Sequence, residues 1–360
     1  MEKIKTLIVD DSSVVQRMIS EILSQDEQIE VLPAAKNGRD GLDKIEECLP
    51  HVVILDMEMP LMDGMEMLRR LRKTHPVFPA VIFFSHLSEK GAKITMDALA
   101  LGAQDFLTKP AAYGSYNEVI SEMRKGLVSK VKQFGNRALN REKKSGEIRE
   151  KIQKKKKEQK TFGKSPNSKS TISIAACGAS TGGTEALTEV LSGIPMEIPV
   201  PIVVVHHMPP IYTEYYAKRL NDEVNIKVVE ASHGQKLRAG IAYIAPGGSH
   251  MELEKQGDET VVIIRKGEAV HNCQPSIDVL FQSVSKIYGA EALGVILCGS
   301  SEDGVDGCKA ISEKMGHIIA QDEATSLLWG TPKKIVGAGY SDEVIPIGDI
   351  AGAIQQQSTK

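Results

Sequence analysis

In the first third of the chain, acidic, hydroxyl and basic residues each follow a short apolar run. Thr6–Val9 runs into Asp10-Asp11, His51–Leu55 into Asp56, Ala80–Phe84 into Ser85, and Asp105–Leu107 into Thr108-Lys109-Pro110. Carboxylates brought together repel, so this set calls for a hard divalent cation. Mg²⁺ prefers carboxylate oxygen, keeps waters and bridges to phosphate. With a hydroxyl and an ammonium beside them, one carboxylate can accept a phosphoryl group, its charge neutralised by Mg²⁺ and lysine.

A different chemistry follows Thr171–Cys177, which passes into Gly178-Ala179-Ser180-Thr181-Gly182-Gly183. The turn contains G-x-S-x-G, a pattern that exposes a serine on a sharp bend above a sheet edge. The helix start behind it offers backbone N–H groups to an oxyanion or a phosphate. An anion-binding loop and a serine nucleophile both fit, but the dinucleotide fingerprint G-x-G-x-x-G is absent. A serine nucleophile also needs a base and an orienting carboxylate. Ile202–Val205 leads to His206-His207-Met208-Pro209-Pro210, where either histidine is a candidate base. Adjacent residues on extended backbone do not point to one site. Gly294–Leu297 ends in Cys298-Gly299-Ser300-Ser301-Glu302-Asp303-Gly304, with Glu302 or Asp303 as the carboxylate. The order Ser…His…Asp differs from that of the α/β-hydrolases and excludes that fold.

All these residues need elements that bring run ends together. Continuous apolar runs suit strands buried on both faces. Their alternation with helices predicts parallel sheets with helices on each side. The C-terminal ends of such strands share one edge, where sites form. The fold class is therefore α/β, with two doubly wound parallel-sheet domains, five strands in the first and about seven in the second. Val31–Ala34 completes the first set, and Ile241–Ile244 and Val261–Ile264 belong to the second. TEALTEVLSG has helical spacing, with Ala186, Leu187, Val190 and Leu191 on one face and Gly193 as a stop. Between the blocks, GEIREKIQKKKKEQKTFGKSPNSKS is too polar to offset its ordering entropy. The domains are placed at 1–123 and 170–352, joined by a charged, lysine-rich linker, 124–169, whose stretch from about 135 is partly helical at its start.

The 360 residues are 41% hydrophobic and 25% charged, a globular composition. No apolar run approaches the ~20 residues of a membrane helix, and MEKIKTLIVDD is no secretory signal. A net charge of −3 gives no reason to expect a nucleic-acid or membrane partner. The KKKK run lacks interleaved aromatics and reads as solvated linker. Five scattered cysteines without C-x-x-C spacing fit free thiols in a cytoplasmic protein.

The first block resembles the response-regulator receiver domain, a flavodoxin-like fold, over about residues 1–123. The resemblance rests on Val9-Asp10-Asp11-Ser12, Asp56-Met57-Glu58-Met59-Pro60-Leu61-Met62-Asp63-Gly64, Ser85 and Lys109-Pro110. It implies phosphate transfer from a histidine kinase to Asp56. It also implies Mg²⁺ held by Asp10, Asp11, Asp56 and the backbone carbonyl of Glu58, with Ser85 and Phe106 at switch positions.

Residues from about 170 to 352 resemble the catalytic domain of the protein-glutamate methylesterases of bacterial chemotaxis, a Rossmann-like serine hydrolase. The matches are GASTGGTEAL, HHMPP, YAKRLN, AYIAPGGSHMEL, PSIDVLFQS, AQDEATS and WGTPKKIV. This resemblance implies Ser180 as nucleophile, His207 and not His206 as base, Asp303 as orienting carboxylate, and an oxyanion N–H from Thr181. The implied reaction is hydrolysis of glutamate methyl esters on methylated chemoreceptors, releasing methanol without a cofactor, with deamidation of receptor glutamines as a second outcome. The implied control is a receiver that covers the catalytic edge until it is phosphorylated. Two departures stand out. Ser300-Ser301 replaces the usual Met-Gly, and Gln274 precedes Pro275 where the family usually has Arg. Serine resists backbone conformations open to glycine, at a cost on the order of 1 kcal/mol. That change motivates an alternative reading, a phosphorylation-controlled signalling or scaffold module with a decayed hydrolase site.

Overall fold

A computed structural model of the chain describes residues 2–109 apart from 77 and 87, residues 120–139 apart from 121, 122 and 125, and residues 171–359. The chain forms two compact units, Met1–Glu158 and Gln159–Lys360.

In the first unit, β1 (Ile4–Val9), β2 (Ile29–Val31), β3 (Val52–Asp56), β4 (Ala80–His86) and β5 (Asp105–Lys109) form a parallel sheet in the order β2-β1-β3-β4-β5. The Val31–Ala34 run contributes only its first residue to β2. Every residue of β3 is buried, as an inner parallel strand demands. The helices α1 (Ser13–Ser24), α2 (Gly38–Cys48), α3 (Gly64–Thr74) and α4 (Glu89–Ala100) start at Ser12, Asn37, Asp63 and Ser88. Each of these four side chains accepts a hydrogen bond from the first turn, the ordinary N-cap arrangement. A fifth helix, α5 (126–139), buries Leu127, Val131 and Phe134. Lys130 of α5 pairs with Asp105 at 2.5 Å, and Lys132 pairs with Asp26 at 2.9 Å. The packed body of this unit therefore extends beyond residue 123 to the end of α5. The rest of the linker, with its KKKK run, lies outside the described residues, as does Pro110.

The second unit has a seven-stranded parallel sheet in the order β14-β13-β12-β6-β7-β9-β8. Its strands are β6 (Ile174–Ala179), β7 (Ile202–His206), β8 (Lys227–Glu230), β9 (Ile241–Ile244), β12 (Ala292–Ile296), β13 (His317–Gln321) and β14 (Glu343–Ile345). The Val261–Ile264 run lies elsewhere, in an antiparallel hairpin of β10 (His250–Gln256) and β11 (Glu259–Arg265). Met251, Leu253 and Val262 of the hairpin share a buried cluster with Leu280, Phe281 and Val284 of α8 (Ile277–Tyr288), which makes β11 as apolar as a sheet strand. The helix α6 (Gly183–Ser192) buries Ala186, Leu187, Val190 and Leu191 and ends at Gly193, whose φ of −82° is not left-handed, and α7 (Tyr212–Glu223) follows β7. The central strand β6 lies between β7 and β12, so loops leaving all three meet at one sheet edge.

Candidate functional sites

In the first unit, β1 and β3 are neighbours, with Val9 beside Leu55. Asp10 follows β1, Asp56 ends β3 and Lys109 ends β5. Carboxylate oxygens of Asp10, Asp11 and Asp56 lie within 4.8 Å of one another. Lys109 Nζ stands 2.7 Å from Asp56 Oδ1 and 3.4 Å from Asp10 Oδ2. Burial, and then the Asp56 charge, push the Asp10 carboxyl above its usual range against the pull of Lys109. One ammonium facing three carboxylates leaves a negative excess on an all-oxygen donor set. That combination fits a hard divalent cation such as Mg²⁺.

The loop that closes this pocket needs a glycine. A Cβ on Gly64 would stand 2.1 Å from the Asp56 carbonyl oxygen. Asp63 caps α3 by accepting from Glu66 N at 2.8 Å, and Gly64 N donates to Met57 O at 3.0 Å. The Glu58 side chain binds Lys90 Nζ at 2.6 Å. Ser85 is buried, with Oγ 3.5 Å from Gly91 O. Phe106 is buried too, and Lys130 Nζ lies 5.8 Å over its ring.

At the β6–β7–β12 edge of the second unit, Ser180, His207 and Asp303 meet. His207 Nδ1 is 3.0 Å from Ser180 Oγ, and His207 Nε2 is 2.7 Å from Asp303 Oδ2. With Asp303 ionised, Nε2 carries the ring proton and Nδ1 is left to accept from Ser180. Asp303 is fully buried beside the start of α8. Its Oδ1 accepts from Ser276 Oγ at 2.6 Å and Asp278 N at 3.1 Å, and its Oδ2 accepts from Ile277 N at 2.6 Å. Burial opposes ionisation, but the bonds from His207, Ser276 and Ile277 outweigh it and hold the Asp303 carboxyl below its usual range. For His207, burial favours the neutral ring. The bonds to Asp303 and Cys273 prevail and raise its pKa from 6.5 to about 9.

The turn around Ser180 is tightly held. A Cβ on Gly299 would come within 2.7 Å of Ser180 Cβ, so only glycine admits the serine there. Ser180 N donates to Cys298 O at 3.0 Å. Thr181 N and Gly182 N, at the start of α6, make no hydrogen bond among the described residues. His206 faces a different environment from its neighbour. Its Nδ1 lies 3.3 Å from Ala179 O and its Nε2 lies 3.2 Å from Thr184 Oγ1, under the turn. Glu302 is exposed and binds Lys334 at 3.1 Å, away from His207.

The strain anticipated at Ser300-Ser301 is absent, since neither residue has a positive φ; the positive φ of this loop, +109°, falls on Gly304, which adopts it freely. Ser301 Oγ accepts from Asp303 N at 3.0 Å and so helps to seat the carboxylate. This geometry gives the decayed-site reading no support. Gln274 ties two loops together, with its Nε2 donating to Gly267 O at 2.9 Å and its carbonyl accepting from Gly248 N at 3.1 Å. Two site residues carry no motif chemistry of their own. Ser276 entered the sequence reading only inside the PSIDVLFQS match, with no role assigned, and proves to be the N-cap of α8. Cys273, 66 residues from His207 in sequence, gave no signal at all.

Comparison with known proteins agrees with both units. Residues 175–354 match the CheB methylesterase family model, and residues 6–120 match the response regulator receiver domain. A protein-glutamate methylesterase/protein-glutamine glutaminase of Trichodesmium erythraeum is 40% identical over 355 residues, covering 98% of this chain and 99% of that relative. A second, from Saccharophagus degradans, is 36% identical over the whole of both chains. The crystal structure of the Thermotoga maritima CheB methylesterase catalytic domain is 34% identical, with a TM-score of 0.51, covering 51% of this chain and 98% of its own. The chain belongs to the CheB methylesterase family, in the arrangement that joins the esterase domain to a response regulator receiver domain.

Proposed function

We propose that this chain is a phosphorylation-regulated protein-glutamate methylesterase acting on methylated chemoreceptors. The observation that carries the reading is the hydrogen-bonded chain Ser180–His207–Asp303 at one sheet edge. Ser180 Oγ attacks the ester carbonyl while its proton passes to His207 Nδ1, and Asp303 stabilises the imidazolium. The N–H of Thr181, at the start of α6, serves the oxyanion. The tetrahedral intermediate collapses to an acyl-enzyme, and the departing methoxide takes the proton from His207 and leaves as methanol. Water, deprotonated by the same imidazole, then releases glutamate and restores Ser180. A glutamine side chain gives the same acyl-enzyme with ammonia as the leaving group, so deamidation is the second activity.

In the receiver, Asp56 accepts the phosphoryl group from a histidine kinase. Asp10, Asp11, Asp56 and the Glu58 carbonyl would hold Mg²⁺, which would supply charge neutralisation for phosphoryl transfer. Lys109 neutralises the same region from the β5 side, and Ser85 and Phe106 respond as switch positions. Residues 140–169 tether the two units, and phosphorylation lifts a restraint that the receiver places on the esterase. The reading needs no nucleic-acid partner and places the protein in the cytoplasm. Among the described residues, no helix is long and apolar enough to cross a membrane.

Methanol release from membranes bearing methylated receptors tests the reading. Wild-type release rises when a small-molecule phosphoryl donor is added, Asp56→Asn loses that rise, and Ser180→Ala releases none. Undiminished methanol release by Ser180→Ala overturns it.

A further inference from the structure

One side chain at the triad takes no part in the proton relay. Cys273 Sγ stands 3.6 Å from His207 Nδ1, the nitrogen that faces Ser180, and 3.4 Å from Ser301 Oγ. It is a half-buried free thiol. A tight turn fixes its place: Val270 N donates to Cys273 O at 3.1 Å and Cys273 N to Val270 O at 2.8 Å. Between them, His271 and Asn272 hold φ values of +50° and +60°. Two left-handed residues in succession are the mark of a type I′ turn. Histidine enters that region only at a cost, so the surroundings hold the turn in a shape that presents the thiol to the imidazole.

We propose that His207 Nδ1 and Cys273 Sγ form a binding site for a soft divalent cation, above all Zn²⁺, whose occupancy shuts off the esterase. Tetrahedral Zn²⁺, with Zn–S about 2.3 Å and Zn–N about 2.0–2.1 Å, holds nitrogen and sulfur about 3.6 Å apart. The observed separation is 3.6 Å. Ser180 Oγ, 3.0 Å from the same nitrogen, is within reach as a third ligand, and water completes the set. Asp303 belongs outside that shell. It bonds the opposite ring nitrogen at 2.7 Å, giving the carboxylate–histidine–metal arrangement that orients the ring and raises its basicity. Thiolate with imidazole selects Zn²⁺ over Mg²⁺, so the cation suited to the receiver does not compete.

Binding balances simply. Cys273 loses its thiol proton to solvent, a doubly protonated His207 loses its Nδ1 proton as well, sulfur and Nδ1 each form a bond to the metal, metal-bound waters leave, and no oxidation state changes. With its lone pair committed, Nδ1 no longer accepts the Ser180 proton. The site stands whichever ester the chain cleaves.

Full-length protein stripped of metal is titrated with Co²⁺, whose thiolate-to-metal charge-transfer absorption reports sulfur ligation. Zn²⁺ inhibition of activated-ester hydrolysis is measured in parallel. The expected result is one thiolate-bound Co²⁺ per chain, displaced by Zn²⁺, and inhibition that a chelator reverses. Cys273→Ser loses the absorption. It also needs more Zn²⁺ for half inhibition, by at least the roughly 10- to 100-fold that loss of even an outer-shell partner costs. His207→Gln loses the absorption as well, and Cys48→Ser keeps both responses. Absorption that persists in Cys273→Ser, or inhibition of that variant at the wild-type Zn²⁺ concentration, overturns the proposal and leaves the contact a simple S–H···N bond. Should Cys273→Ser fail to fold, alkylation of Cys273 in the wild type decides. Zn²⁺ must slow it, and an unchanged rate overturns the proposal.

Discussion

Asp10 and Asp303 are both carboxylates in loops that follow buried parallel strands, and both are almost without solvent, at 1% and 0% exposure. Their pKa values move in opposite directions. Asp10 rises, because burial and Asp56 outweigh Lys109. Asp303 falls despite its burial, because each of its oxygens takes two donors: Ser276 Oγ and Asp278 N on one, His207 Nε2 and Ile277 N on the other. The same sheet edge thus supports two designs. The receiver pocket carries an excess of negative charge that a divalent cation would balance. The triad carboxylate is satisfied by the protein itself, at the N-terminus of α8, where a helix favours negative charge.

Removing a triad member breaks this contrast most severely. Ser180→Ala or His207→Gln lowers kcat by roughly 10⁴- to 10⁶-fold, as expected for groups that act as one unit. Turnover of an activated glutamate ester measures it, and a loss under tenfold contradicts the relay.

Asp303→Asn keeps the shape and removes the charge, so kcat falls by about 10⁴-fold. It also changes the pH dependence. In the proposed mechanism neutral His207 is the base, and its pKa is raised from 6.5 to about 9. Wild-type kcat/KM therefore climbs as pH rises through that interval, and the residual activity of Asp303→Asn shows the climb at lower pH. The same shift contributes stability that is complete below 6.5 and lost as pH rises through about 9. An acid limb unchanged by Asp303→Asn contradicts this coupling.

Ser276→Ala removes one donor from a buried carboxylate and costs about 1–3 kcal/mol of stability, read from urea unfolding of the esterase unit. Mg²⁺ at ten times its Kd stabilises the receiver by about 1.4 kcal/mol. That shift vanishes in Asp10→Asn and on chelation, and the melting of the esterase unit does not change with Mg²⁺. A shift in the esterase unit, or none in the receiver, dissolves the contrast.

Much of this was legible in the sequence, because strand ends leave a readable mark. Ser180, the His206-His207 pair and Asp303 each follow an apolar run, and β6, β7 and β12 prove to be neighbours. Which histidine serves was not legible from the residues alone, since it depends on which side of β7 each one faces. The hairpin strand β11 read as a sheet strand because α8 buries it just as deeply. The helix 126–139 lay inside the expected linker, because its few buried apolar residues are spaced among lysines. Cys273 and Ser276 reach the site through a turn and a helix cap whose approach is purely tertiary, so spacing could not announce them.

Trapping the acyl-enzyme tests the proton relay most directly. Full-length protein is mixed with an activated glutamate ester, quenched in acid within the first turnover, and digested for peptide mapping by mass. The expected result is a single acyl group, approaching one per chain, on the peptide carrying Ser180 and missing from His207→Gln. An acyl group on Cys273, or steady hydrolysis with no acylated peptide, contradicts Ser180 as the nucleophile that His207 activates.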